Sequence, residues 1–162
     1  MRTAIDALSA WTARTGGLDA EAGTDRPKDR HDGVDGDDDG NDARSDGGGH
    51  ELLRAVFISD LHLGTAGCQA AALLDFLKHH PSQTLYLVGD IIDGWQLRRQ
   101  WYWPQAHNDV VQKLLRKARK GTKVVFVPGN HDEFARQFHG HQFGGIEVLD
   151  EAVHTTADGR RL

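Results

Sequence analysis

Three short motifs place carboxylates, imidazoles and an amide directly after apolar runs. They are Asp60-Leu61-His62, Gly89-Asp90 with Asp93 three residues on, and Gly129-Asn130-His131-Asp132. Carboxylate oxygen, imidazole nitrogen and amide oxygen together form a donor set suited to Mn, Fe or Zn. Each motif alone is common. An Asp-x-His can be a capped turn followed by a surface histidine, and a Gly-Asp after a strand is usually a turn. Their joint order, each at the end of an apolar run, is far more specific.

The elements that must hold these motifs alternate along the chain. Ala55-Val56-Phe57-Ile58 reads as a buried strand ending at Ser59-Asp60. Cys68 to His79 predicts a helix with Ala72, Leu73, Phe76 and Leu77 on its inner face, closed by Pro81. Leu85-Tyr86-Leu87-Val88 is a second strand, ending at Gly89-Asp90. Pro104 to Lys120 predicts a helix opened by proline and stopped by Gly121, with Val110, Val111, Leu114, Leu115 and Ala118 as its apolar stripe. The Lys and Arg side chains of its last turns, Lys113, Arg116, Lys117, Arg119 and Lys120, read as a solvated face that complements the helix dipole, with phosphate or anionic-membrane contact as the alternative. Val124 to Val127 is a third strand. Strand, helix, strand, helix, strand is the order of βαβ units on a parallel sheet, and ligand sites gather outside the carboxyl ends of such strands. Ile146 to Leu149 and Val153 to Thr156 read as further strands, with Asp158-Gly159 as a hairpin turn.

The stretches Asp60-Leu61-His62, Gly89-Asp90-Ile91-Ile92-Asp93 and Gly129-Asn130-His131-Asp132 resemble the first three signature blocks of calcineurin-like metallophosphoesterases. The longer Ile58-Ser59-Asp60-Leu61-His62-Leu63-Gly64, with Asp93-Gly94-Trp95 and Trp101-Tyr102-Trp103-Pro104-Gln105, looks like the UDP-2,3-diacylglucosamine diphosphatase-like branch. The resemblance implies an α/β fold, the four-layer α/β/β/α sandwich, with its C-terminal half missing from these residues. It implies two divalent metal ions, Mn2+ foremost, with Asp60 and His62 on the first, Asp90 bridging both and Asn130 on the second. His131 would be the catalytic imidazole that protonates or stabilises the leaving oxygen, and Asp93 would orient it. A metal-bridging hydroxide would then attack phosphorus in line. The substrate implied is a phosphorylated small molecule or nucleotide-linked lipid, such as the UDP-linked diacylglucosamine of lipid A synthesis.

The chain also departs from these patterns. His131 stands where that branch often carries arginine, and Gly94 stands where protein phosphatases place one. Arg98 and Arg99 could hold a diphosphate or be plain surface charge, and the aromatic residues around Trp95 and Trp101 could meet an acyl chain or nucleobase or simply pack. The family's later histidine blocks do not occur, since His139-Gly140-His141 has the wrong order and reads as a loop. His154 reads as structural, and His79, His80 and His107 as surface residues of helices. With three donors for the first metal and two for the second, the chain is expected to bind metal weakly, to hydrolyse little, and to be a fragment. The alternatives are an inactive piece that binds metal or a partner, and a phosphodiesterase on another substrate.

Residues 1–50 carry 12 acidic and 6 basic side chains, whereas residues 51–162 carry 12 and 13. The first segment, rich in Gly and Asp, is predicted to be a disordered tail, with a transient helix over residues 3–14. Asp35, Asp37, Asp39, Gly40 and Asp46 imitate a calcium loop but lack the final Glu and flanking helices, so they read as an acidic linker. The near-neutral remainder argues against nucleic-acid binding. The single cysteine, Cys68, excludes an internal disulfide and fits a reducing compartment. No apolar run reaches the roughly 20 residues of a membrane span, and no signal-peptide core is present. The expectation is a cytoplasmic protein with peripheral contact at the inner membrane.

Overall fold

A computed structural model describes residues 51–162. The expected tail, its transient helix and the calcium-loop imitation lie outside the described residues. Five strands form one sheet in the order β1-β2-β3-β5-β4, where β1 is Leu53–Ile58, β2 is Ser82–Val88, β3 is Lys123–Val127, β4 is Gln142–Phe143 and β5 is Ile146–Val148. The strands β1, β2, β3 and β5 run parallel, and β4 turns back antiparallel on β5 through Gly144 and Gly145. The mixed α/β class expected from the sequence is therefore the class found.

Strand alternation decides what lies on each face. Val56, Leu85 and Val124 stand in register, Leu87 follows on the same face of β2, and all four join the core beneath the helices α1 (Ala70–His79) and α3 (Gln105–Arg119). Tyr86 and Val125 point to the opposite face and are buried, but Phe57 beside them is 50% exposed. Phe57 stacks on Tyr86 at 4.7 Å, and the His154 ring packs edge-on to both.

The inner face of α1 differs from the expected one. Ala70 and Leu77 are buried and Leu73 and Leu74 pack against the core, while Ala72 is exposed. Residues 70, 73, 74 and 77 form the i, i+3, i+4, i+7 stripe, and the small Ala72 falls outside it. Val153 to Thr156 makes a single bridge, Thr155 with Arg161, instead of a strand, although the turn at Asp158-Gly159 forms as expected. Three short elements were not expected, the helix α2 (Gly94–Arg99), a 3-10 turn over Glu133–Phe138 and the strand β4.

The helix α3 starts after Pro104, whose φ is −68°, and stops before Gly121 at φ +97°. It corrects one expectation. His107 is not a surface residue: it is 2% exposed, one turn before Val110 on the same buried stripe as Leu114. Tyr102 and Trp103 pack edge-on against its ring at 5.8 and 5.5 Å. Burial pushes the His107 imidazolium below its usual value. In that window the unfolded chain binds more protons than the folded one, so stability rises with pH. His107's contribution is present above about pH 6.5, the ordinary histidine value, and is lost as pH falls below it. The urea midpoint of the wild type should therefore fall more between pH 7 and pH 5.5 than that of His107→Asn; parallel falls would contradict this.

Candidate metal centre

The β1–β2 ladder does not end with its strands. The Asp60 amide donates to the Gly89 carbonyl at 3.2 Å, His62 to Asp90 at 2.9 Å, and Leu63 to Ile91 at 2.9 Å. The Asp93 amide returns to the Leu63 carbonyl at 2.8 Å, and Leu63 bridges Ile92 in parallel. On this extension Asp60, His62 and Asp90 adopt φ of 54°, 48° and 55°. Left-handed backbone is costly for side chains with a Cβ, about 1–3 kcal/mol each, and is least so for Asp, Asn and His. All three non-glycine residues of this kind among the described residues are candidate metal ligands.

The third loop is bound to the second by one carboxylate. Asp132 is fully buried and accepts the amides of Ile91 at 2.7 Å, Ile92 at 3.3 Å, Asp90 at 3.3 Å and Gly129 at 2.5 Å. In return the His131 amide donates to Asp90 Oδ1 at 3.0 Å. The two loops approach so closely that a Cβ on Gly129 would collide with Asp90 Oδ1 and the Asp90 amide. Asp132 belongs to the third motif, where it carries no expected role. Its only sequence signal is an acidic residue at a turn where several amides could converge.

One donor atom each from Asp60, His62 and Asp90 lie within 4.8 Å of one another. A second such group, His62, Asp93 and His131, shares His62 with the first. Asp93 Oδ2 lies 3.2 Å from His62 Nδ1 and 3.1 Å from His131 Nδ1, and Oδ1 accepts the Gln96 amide at 2.7 Å, capping α2. The two imidazoles meet edge to face at 4.7 Å. His131 Nδ1 is buried and, though at ion-pair distance from Asp93, is out of line for a hydrogen bond. The Asp93 carboxylate raises the His131 imidazolium above its usual value, and the charges of Asp90 and Asp132 add to this. Burial pushes the Asp93 carboxyl up, but the Gln96 amide and the two imidazoles outweigh it and hold the group below its ordinary range.

Hard carboxylate oxygens beside borderline imidazoles, converging on one point with an unaligned buried ring nitrogen, fit divalent transition cations. The other predicted residues are more dispersed. Asn130 is exposed between Gly129 and His131 at the end of β3. Arg98 and Arg99 stand exposed in the last turn of α2. Trp95, 45% exposed on the same helix, tilts over the His131 ring at 4.3 Å. His139 pairs with Asp150 in a separate loop, its Nδ1 accepting the Asp150 amide at 3.1 Å.

Residues 53–155 match the calcineurin-like phosphoesterase family. Chromohalobacter salexigens UDP-2,3-diacylglucosamine hydrolase is 34% identical over 110 residues, which is 64% of this chain and 42% of that protein. The enzymes of the same name from Cellvibrio japonicus and Xanthomonas campestris are 29% and 33% identical, covering 62% and 61% of this chain and 42% and 40% of theirs. The chain thus spans about two fifths of the length of the curated relatives it matches. The crystal structure of a Pseudomonas putida nuclease MPE aligns with a TM-score of 0.38 at 25% identity, covering 59% of this chain and 47% of that one. No helix among the described residues is long and apolar enough to cross a membrane. By the match over residues 53–155, the chain belongs to the calcineurin-like phosphoesterase family.

Proposed function

We propose that this chain carries the first metal-binding half of a metal-dependent hydrolase of phosphoester or diphosphate bonds. The observation that supports it best is the convergence of Asp60, His62 and Asp90 on left-handed turns at the ends of β1 and β2. Two divalent cations, Mn2+ in our reading, would supply charge neutralisation and an activated water when bound. Asp60 and His62 would hold the first, Asp90 would reach both and Asn130 would hold the second. His131, with Nδ1 toward Asp93, leaves Nε2 to give a proton to the leaving oxygen. Asp93, with Oδ2 3.1 Å from that Nδ1, favours the protonated form of the imidazole.

The substrate in this reading is a nucleotide diphosphate-linked lipid, by likeness to the relatives' named substrate. Arg98 and Arg99 would meet its diphosphate and Trp95 a base or acyl chain beside His131. A lipid-linked substrate would place the protein in the cytoplasm at the inner membrane surface. A second reading, metal binding without turnover, is favoured by the small donor groups found among the described residues.

Calorimetric titration with Mn2+ tests the proposal. Saturable binding is expected, weakened more than about tenfold by Asp90→Ala, which removes a direct ligand where even an outer-shell loss costs that much. Absence of binding up to millimolar Mn2+ would sink the metal reading. Binding with no cleavage of an aryl phosphodiester would select the second reading.

A further inference from the structure

His107 is a buried polar side chain that neither the motifs nor the proposed chemistry uses. Its Nδ1 lies 3.1 Å from the Gly64 amide, across 43 residues of sequence. A backbone N–H can only donate, so Nδ1 carries a lone pair here and the ring proton sits on Nε2. Gly64 is the third residue of the turn that His62 opens and Thr65 closes, and at φ +107° it too is left-handed. The Leu97 side chain packs where a Gly64 Cβ would stand. The Thr65 amide and hydroxyl both donate to the His62 carbonyl, at 3.1 and 2.9 Å. Thus His62 is held from the β2 side by the extended ladder, and from the helix side by His107 through Gly64.

We propose that His107 is a positioning residue for the metal centre, fixing through the Gly64 amide the left-handed turn that aims the His62 imidazole. This rests on the metal role proposed for His62. Without an acceptor at this point, a buried N–H would be left unsatisfied, and a turn that already stores strain would relax away from its present aim. A purely structural role would depend on the volume and aromatic contacts of the ring. The two roles rank substitutions in opposite order. Phenylalanine keeps volume and the packing against Trp103 and Tyr102 but offers no acceptor. Asparagine offers an amide oxygen near the Nδ1 position but leaves a cavity.

The test compares wild type, His107→Phe and His107→Asn by hydrogen exchange at the Gly64 amide without metal, by Mn2+ affinity from electron paramagnetic resonance, and by thermal melting. His107→Phe is expected to speed Gly64 exchange and to weaken Mn2+ binding about tenfold to a hundredfold, the usual loss when an outer-shell partner is removed. His107→Asn should stay near wild type in both while melting lower. Equal Mn2+ affinity in His107→Phe and wild type overturns the proposal, as does a loss in both variants that follows their melting temperatures. A wild type that binds no Mn2+ defeats the metal reading before any His107 variant is compared. If Gly64 exchange then still follows His107, the residue is a structural pin and the positioning role is overturned.

Discussion

Asp132→Ala should lower folding stability by about 4 kcal/mol, the largest stability change expected of a single substitution in this chain. The carboxylate is completely enclosed and receives four backbone amides, three of them from Asp90, Ile91 and Ile92 on the neighbouring loop. Each buried donor left without an acceptor costs about 1–3 kcal/mol, and water entering the vacated space recovers part of the sum. Asp132→Asn keeps one oxygen but turns an NH2 group toward amides that are themselves donors, so roughly half the loss is expected. Urea denaturation reads both values. The clamp described for Asp132 would be refuted by an alanine variant within about 1 kcal/mol of wild type. Because the same amides set the backbone of Asp90, Mn2+ affinity should fall in step with stability along this pair of variants.

His131→Ala should leave Mn2+ affinity nearly unchanged and reduce metal-dependent phosphodiester cleavage by about 10²–10⁴, the range for loss of a positioned general acid. The size of the effect should depend on the leaving group. An alkoxide needs a proton at departure far more than a nitrophenolate does, so the variant should suffer more on an alkyl ester than on an aryl one. Losses equal on both esters would assign His131 to electrostatic stabilisation. A large fall in Mn2+ affinity would instead make it a ligand, as its grouping with His62 and Asp93 also permits. Asp93 stands between these outcomes, since one of its oxygens faces both imidazoles.

The strands and long helices were legible because their signals are local. Apolar runs ended at Ser-Asp, Gly-Asp or Pro-Gly-Asn, and Pro104 and Gly121 marked the bounds of α3. The short helix α2 was not, because Trp95, Arg98 and Arg99 give six residues no apolar period and its cap, Asp93, had been read only as chemistry. The phase of α1 was misjudged at an alanine, a residue too small to mark a buried face. The motif residues Asp60, His62, Asp90, Asp93 and His131 do come together, as their positions after apolar runs suggested. The supports for those residues were hidden. Asp132 serves amides 40 to 42 residues away, and His107 reaches an amide 43 residues away, distances over which no sequence period operates.

The backbone ladder that runs past β1 and β2 through Leu63 and Ile92 also bears on which cation a cell would load. Donors mounted on a hydrogen-bonded ribbon inherit the fixed separation of neighbouring chains, about 4.8 Å. In the metal reading proposed above, such a cage would resist dilation. Calcium, which takes six to eight oxygens at about 2.3–2.6 Å from yielding loops, would find little of the give it requires. A smaller ion that accepts imidazole does not ask for it. Discrimination by ionic radius would then reside in the peptide framework, and loosening the ribbon would broaden the range of ions admitted before it weakened any one of them.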